Sequence, residues 1–410
     1  MLRIVLYLHL HQPYRLARFR YVDLGSGRSY FDERRNRAIF EGIAARSYRP
    51  ALGLLAEALE ARPEFRLSLS ITGTFLEQAE AYAPDVIELL ARIVRTGRCA
   101  LLSETYYHSL AFLLPGAELS EEVDQHRAVT ERLFGVRPTV LRMTELAFSD
   151  EIARFAEHRG FRGMLAEGWE GLLHGAEPTH VYCAASAPTV ALLLRHYRLS
   201  DDVGFRFSST AWSEFPLTAE KYVGWIARTP GEVLGLFMDF ETFGEHHPAS
   251  SGILEFLRAL PAAVAREPHL RWATVDEAIA AEPPRGALDA PRTVSWADQN
   301  RDLGAWLGND LQRSAFEAAK KVGTLAKASG DGAILTDWRR LLTSDHFYYM
   351  YVEGHGADQG VHQYFSSYGS PYDAYANYMN ALTDLRRRAL DRLGVGPDVA
   401  RGAEPAPRRA

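Results

Sequence analysis

Four short apolar runs in the chain are each followed at once by carboxylates or imidazoles. Ile4–Leu8 leads into His9-Leu10-His11-Gln12, and Cys99–Leu102 into Ser103-Glu104 with His108 four residues on. Thr139–Met143 leads into Thr144-Glu145, and Val233–Met238 into Asp239-Phe240-Glu241 and the later Glu245-His246-His247. Two carboxylates on opposite sides of a glycosidic bond can cleave it, one protonating the leaving oxygen while the other attacks the anomeric carbon. The two roles need different pKa values, set by burial and neighbours. Asp239 closes the apolar run Leu234–Met238, where an acid is costly unless it is paired or used. That approach, together with like charge from Glu145 and Glu241, predicts a raised pKa for Asp239. Arg142 stands three residues before Glu145, placed to hold it ionised if its side chain turns inward. Plainer readings stand beside these. Glu145 also reads as a partner for Arg142, or as a negative charge ahead of the helix at Asp150. Glu104 and His108 also read as a loop hydrogen-bond pair. His9 and His11, two apart on a strand, face the same way and suit either hydrogen bonding or a metal.

The elements that must carry these groups alternate in type. Strand-like runs occur at Arg3–Leu8, Arg66–Ile71, Cys99–Leu102, Thr139–Met143, Gly163–Ala166, Val181–Ala184 and Val233–Met238. Helix-length amphipathic segments lie between several of them, such as Pro84–Thr96, Ser120–Phe134 and Asp150–Arg159. Such alternation means βαβ units and a parallel sheet, closed into a barrel or doubly wound. In either case side chains at the strand ends collect on one rim. The stretch 281–292 (AEPPRGALDAPR) breaks the alternation and reads as a linker. After it the apolar spacing turns helical, which predicts an α-helical domain over 293–395. The Pro/Ala/Arg-rich residues 396–410 read as a disordered tail.

Composition narrows the function. Of 410 residues, 47% are hydrophobic and 24% charged, as in an ordinary globular protein. A formal net charge of -6 gives no basic surplus for nucleic acid or an anionic membrane. No stretch approaches the length of a membrane span, and the N-terminus enters a strand pattern directly rather than a signal peptide. The two cysteines, Cys99 and Cys183, both fall in apolar strand-like runs and cannot make a disulfide framework. These features predict a cytoplasmic setting.

At the residues singled out above, the sequence resembles glycoside hydrolase family 57, in particular its α-amylase-like members. Five characteristic blocks occur in order, at 9–14 (HLHQPY), 101–110 (LLSETYYHSL), 141–150 (LRMTELAFSD), 236–247 (LFMDFETFGEHH) and 341–350 (LLTSDHFYYM). Residues 197–208 and 295–309 resemble the shorter α-amylase-type members as well. The resemblance implies an α/β fold, an incomplete (β/α)7 TIM-like barrel over 1–280 followed by the α-helical domain, which completes the active site. It implies a retaining hydrolase or transglycosylase for α-1,4-glucans or maltooligosaccharides, with Glu145 as nucleophile and Asp239 as acid/base. His11, Glu104 and Asp345 fall on substrate-binding positions, Arg142 joins them beside the nucleophile, and Trp212 suits a stacking platform. No cofactor or metal is expected, and the partner is the glucan substrate. One departure is the Leu141-Arg142-Met143 run, where many members have an aromatic shortly before the nucleophile. Two rival readings are a metal-dependent carbohydrate enzyme of mannosidase or deacetylase type, and a non-catalytic glucan-binding homologue.

Overall fold

The computed structural model describes residues 1–297, 299–352, 366 and 368–395. The chain groups into two compact units. The first comprises Met1–Gln12, Asn36–His108 and Gly116–Leu303; the second comprises Pro13–Arg35, Ser109–Pro115 and Gly304–Ala410.

The first unit is built on ten strands among the described residues. They are β1 (Leu2–Leu10), β2 (Leu67–Ile71), β3 (Cys99–Leu101), β4 (Val140–Leu141), β5 (Gly163–Glu167), β6 (Tyr182–Ala184), β7 (Ala187–Arg195), β8 (Val233–Asp239), β9 (Leu270–Trp272) and β10 (Ala287–Leu288). Seven of them form a parallel ring. β1 pairs with β2 and β8, β2 with β3, β4 with β5, and β5 with β7. The ring closes through a parallel bridge between Ser103 and Leu141 and a single parallel pair, Arg195 with Gly235, between β7 and β8. Glycine is required at that narrow seam. A Cβ on Gly235 would sit 2.3 Å from the carbonyl oxygen of Leu194.

The seventh ring strand differs from the sequence expectation. Val181–Ala184 is a strand (β6), but it pairs antiparallel with β7 and lies outside the ring, whose seventh member is Ala187–Arg195. The stretch 281–292 is not a free linker either. Its residues Ala287–Leu288 extend the sheet beside β6, and Ala290 exchanges hydrogen bonds with Asp150.

Period-two alternation sorts the side chains of each strand. On β1, Ile4, Leu6 and Leu8 face outward into a core shared with Leu52, Leu55, Phe75 and Phe256 of the surrounding helices. Val5 and Tyr7 face inward with Leu102, Val140, Leu165, Leu193 and Phe237 to fill the barrel. The register pairs Tyr7 with Phe237, and their rings meet edge-on at 5.4 Å. Full burial of each such side chain stabilises the fold by about 1.5–3 kcal/mol, and Tyr7→Ala would open the largest gap in this layer. The helices start where short polar side chains cap them. Thr72 accepts from the Phe75 amide and Ser149 from the Ile152 amide, while Thr274 and Glu277 form a capping box.

The second unit contains the helices Asp310–Ala328, Gly332–Leu341, Ser344–Tyr348 and Pro371–Arg392. Phe347 packs against Phe316 and Tyr378 at 5.6 and 5.5 Å. Two early segments belong to this unit because its helices tie them down. Phe19 donates its amide to Asn377, Tyr30 donates its hydroxyl to Asp384, and Ser109 bridges Thr343. The segment Thr293–Leu303, expected in the helical domain, groups with the barrel unit because Val294 pairs with Phe148. The tail 396–410 lies outside the described residues.

Candidate active site

The inward alternation continues to the end of each ring strand and there changes from apolar to polar. Going round the barrel, the next inward residue is His9 on β1, Ser70 on β2, Glu104 after β3, Arg142 after β4, Glu167 on β5, Arg195 on β7 and Asp239 on β8. Apart from Ser70, acid and base alternate. Glu104 lies 3.9 Å from Arg142, Glu167 lies 3.2 Å from Arg195, and Asp239 lies 3.5 Å from His9. His9 Nε2 also reaches across Ser70 to Glu104 at 3.1 Å. Buried charges are tolerable when each faces opposite charge and hydrogen bonds, and this layer supplies both.

Glu145 stands just above the layer. The backbone turns sharply after Arg142, with Glu145 and Leu146 both in the left-handed region at φ 56° and 52°. The turn brings one Glu145 carboxylate oxygen to His108 Nε2 at 2.8 Å, and the other accepts from Trp296 Nε1 at 2.7 Å. Burial alone would raise the pKa of Glu145. The His108 hydrogen bond and charge, the Arg142 guanidinium and the Trp296 N–H outweigh it and hold the carboxyl below its usual value. Burial likewise pulls His108 down, but its two carboxylate partners, Glu104 and Glu145, push its pKa up to about 9. Glu104 is held well below the ordinary range: against burial stand the charge of His9, hydrogen bonds from His108 and His9, and Arg142.

Asp239 corrects one expectation. Burial raises its pKa as predicted, yet the hydrogen bond and charge of His9, with His246 and Arg142, carry it below the ordinary value. The apolar approach ends at Met238, and the next inward neighbour across the register is an imidazole. The carboxyl held protonated is Glu241, which burial and the nearby Asp239 charge push up to about 8. The Tyr48 hydroxyl donates to it at 2.5 Å and itself accepts from Gln12 at 2.9 Å.

The structure gathers Glu145, Asp239, Glu104, Arg142 and His11 in one place. His11 accepts from or donates to Thr72 at 3.0 Å, and its ring lies 4.1 Å from that of His108. Arg142 and Glu104, proposed from sequence as substrate contacts, have fully buried side chains. Both face other charged groups of this layer, Glu104 meeting His9 at 3.1 Å and Arg142 at 3.9 Å. Trp212 lies apart from this hydrogen-bond network, on the loop after the helix Tyr197–Gly204, edge-on to Trp225 at 6.1 Å. Asp345 belongs to the second unit, in the first turn of its short helix, where Thr343 holds the N-cap position without a side-chain cap hydrogen bond. Sequence reasoning paired His108 with Glu104, as the structure does, but not with Glu145, and it missed Glu167 and Arg195. Extending the inward period of each strand by one more residue would have found Glu167.

Among the described residues, His9, Glu104 and His108 bring potential ligand atoms within 4.8 Å of one another. Arg142 already neutralises Glu104 from 3.9 Å, and a dication there would face a buried guanidinium. The donor set is better matched to the charges present than to a metal.

Comparison with known proteins agrees with this geometry. A model described as "Glycosyl hydrolase family 57" matches residues 5–291. A protein of Methanocaldococcus jannaschii that carries a provisional alpha-amylase name is 40% identical over 390 residues, covering 92% of this chain and 82% of its own. The chain belongs to glycosyl hydrolase family 57. The 4-alpha-glucanotransferase of Thermococcus litoralis shares the fold with a TM-score of 0.67 at 16% identity. The match covers 94% of this chain, which spans only 60% of that one. A branching enzyme of the same family from Pyrococcus horikoshii gives a TM-score of 0.66 at 14% identity, over 96% of this chain and 94% of its own. These neighbours share the (β/α)7 barrel seen here. No helix among the described residues is long and apolar enough to cross a membrane.

Proposed function

We propose that the protein cleaves α-1,4-glucans with retention, through a covalent glycosyl-enzyme on Glu145, and passes the glycosyl unit to water or to a second glucan. One observation carries the reading: the carboxylates of the charged network differ sharply in exposure. The side chains of Glu104 and Glu167 are fully buried, whereas those of Glu145 and Asp239 are 20% and 43% exposed. The two reachable carboxylates are therefore the two that the chemistry of glycoside cleavage needs. The alpha-amylase and glucanotransferase names of relatives support an α-glucan as substrate.

Glu145 is ionised and aimed by two hydrogen bonds, as a nucleophile must be. Asp239 takes a proton from solvent as a sugar covers its open face and donates it to the departing glycosidic oxygen. Burial, already the largest influence on its pKa, then grows and favours the neutral acid. Its conjugate base afterwards deprotonates the incoming water or sugar hydroxyl.

The test uses maltooligosaccharides of defined length, with products resolved by size and the first anomer read by NMR. Shorter or redistributed α-glucans with an α first anomer are expected, with turnover lost by several orders of magnitude in Glu145→Gln while glucan binding survives. A β first anomer, or turnover unaffected by Glu145→Gln, would overturn the assignment.

A further inference from the structure

The loop beyond β10 is hydrogen-bonded to the nucleophile segment at four points. Phe148 and Val294 exchange amide hydrogen bonds of 2.8 Å in each direction, an antiparallel pair. Three residues earlier in one segment and two later in the other, Trp296 donates its amide to the Glu145 carbonyl at 3.2 Å and its indole N–H to the Glu145 carboxylate at 2.7 Å. Residue 296 thus grips residue 145 by backbone and side chain together. Glu145 needs such a grip, because it and Leu146 adopt consecutive left-handed conformations that residues other than glycine enter reluctantly.

The loop is itself locked. The Ser295 amide donates to the Arg301 carbonyl at 3.0 Å, and the Ser295 hydroxyl to that of Asp302 at 2.6 Å. Arg301 donates back to the Trp296 carbonyl and lies 3.3 Å from Glu167 of the charged layer. The indole face is flanked by two guanidiniums, Arg142 at 5.0 Å and Arg195 at 5.7 Å from the ring centroid. Cations over a ring attract its negative face and polarise its N–H outward, here toward a carboxylate. The residues matched to the family model stop at 291, short of this loop.

We propose that Trp296 is a positioning residue for the nucleophile, held in register by the Arg301–Glu167 latch, so that the charged barrel layer and the post-barrel loop aim Glu145 jointly. This rests on Glu145 being the nucleophile, but its test separates the two claims. Without the indole donor, Glu145 loses one of the hydrogen bonds that favour its charged form.

Trp296→Phe keeps a ring between the two guanidiniums and removes the N–H. The acid limb of the kcat/KM profile should move up by about one pH unit. Turnover at neutral pH should fall roughly tenfold with KM within about twofold, because aim is lost and sugar contact is not. Replacing Trp296 by β-(3-benzothienyl)alanine exchanges only the N–H for sulfur and guards against a folding defect in the Phe variant; it should shift the limb equally. Arg301→Met should shift it in the same direction by less. An acid limb identical to wild type in both Trp296 variants, or a raised KM with an unmoved limb, would refute positioning. If the wild type turns over no glucan, the nucleophile reading fails, and tryptophan fluorescence then tests the contact alone. The wild-type titration should contain a step that is absent from both Trp296→Phe and Glu145→Gln; no such step would refute the contact.

Discussion

Arg142→Met tests whether the guanidinium serves the sugar or the carboxylates. Methionine nearly preserves the volume of the aliphatic stem while deleting the charge. Arg142 is fully buried and 3.9 Å from Glu104, and the fields of Glu104, Glu145 and Asp239 all favour its charged form. At that distance, and at an effective dielectric of about 20, the pair with Glu104 is worth about 4 kcal/mol. Against this, the Arg142 Nε and one terminal nitrogen have no hydrogen-bond partner, so the substitution also relieves buried unpaired donors. A net loss of roughly 3 kcal/mol at pH 7 follows, near the cost of orphaning a buried charge. Urea unfolding should read it. The depressed pKa of Glu104 gives the pH dependence. A carboxylate whose folded pKa lies below its unfolded value contributes stability above the unfolded pKa and loses it as pH falls through the folded one. The difference between wild type and variant should therefore be full at neutral pH and shrink as pH falls below about 4. In kinetics, Glu145 loses one of the charges that keep it ionised, and the acid limb should rise by about one pH unit with kcat/KM near pH 7 little changed. A many-fold rise in KM at neutral pH with an unmoved acid limb would refute this reasoning and make Arg142 a sugar contact after all.

Other outcomes are as definite. Glu241→Gln mimics the protonated carboxyl present below about pH 8, so it should keep neutral activity within a few-fold and remove the part of the alkaline fall centred near that pH. Because the folded pKa of Glu241 is raised, wild-type stability falls as pH climbs from the unfolded pKa toward 8, and the variant should be the more stable of the two at pH 8. Exhaustive treatment with EDTA should leave turnover intact; loss restored by zinc would make His9, Glu104 and His108 a metal site. If Asp345 contacts the glucan as the resemblance implies, Asp345→Ala should lower kcat/KM sharply while the melting temperature moves by only a few degrees, since a helix cap is worth only about 1 kcal/mol. A large loss of stability with normal kinetics would leave Asp345 a structural residue.

Six of the seven ring strands were legible in the sequence, because each is an apolar run followed by helix-length sequence. The seventh was not. Ala187–Arg195 follows β6 after only two residues, Ala185 and Ser186. Alternation of strand and helix cannot signal a chain that doubles back antiparallel before rejoining the ring. Missing that strand hid Arg195, and stopping β5 at Ala166 hid Glu167. Glu145 and Asp239 stood out because strand ends expose their types. The sign of the Asp239 pKa did not, since it depends on which residue the β1–β8 register places opposite, and His9 is 230 residues away. Trp296 falls in the stretch 295–309 that the family resemblance covers, but its link to Glu145 needs a tertiary pairing that no local pattern encodes. The boundary near 281–292 failed for a similar reason, because proline-rich composition does not reveal that Ala290 is tied to Asp150.

The alternating ring also predicts how the protein tolerates change. Each charged member has neighbours of opposite sign, so the effect of a substitution depends on what stands beside it. Removing Glu104 or Arg142 singly leaves an unbalanced ion inside the barrel, whereas removing both leaves a neutral layer. A double-mutant cycle on this pair should show strong positive epistasis, as should one on Glu167 and Arg195, while residues on opposite sides of the ring should combine almost additively. Sequence drift in this layer is then a walk in pairs. A descendant that neutralised the Glu104–Arg142 pair could keep the barrel while weakening the field on Glu145, and so retain the fold with a narrower pH range of activity.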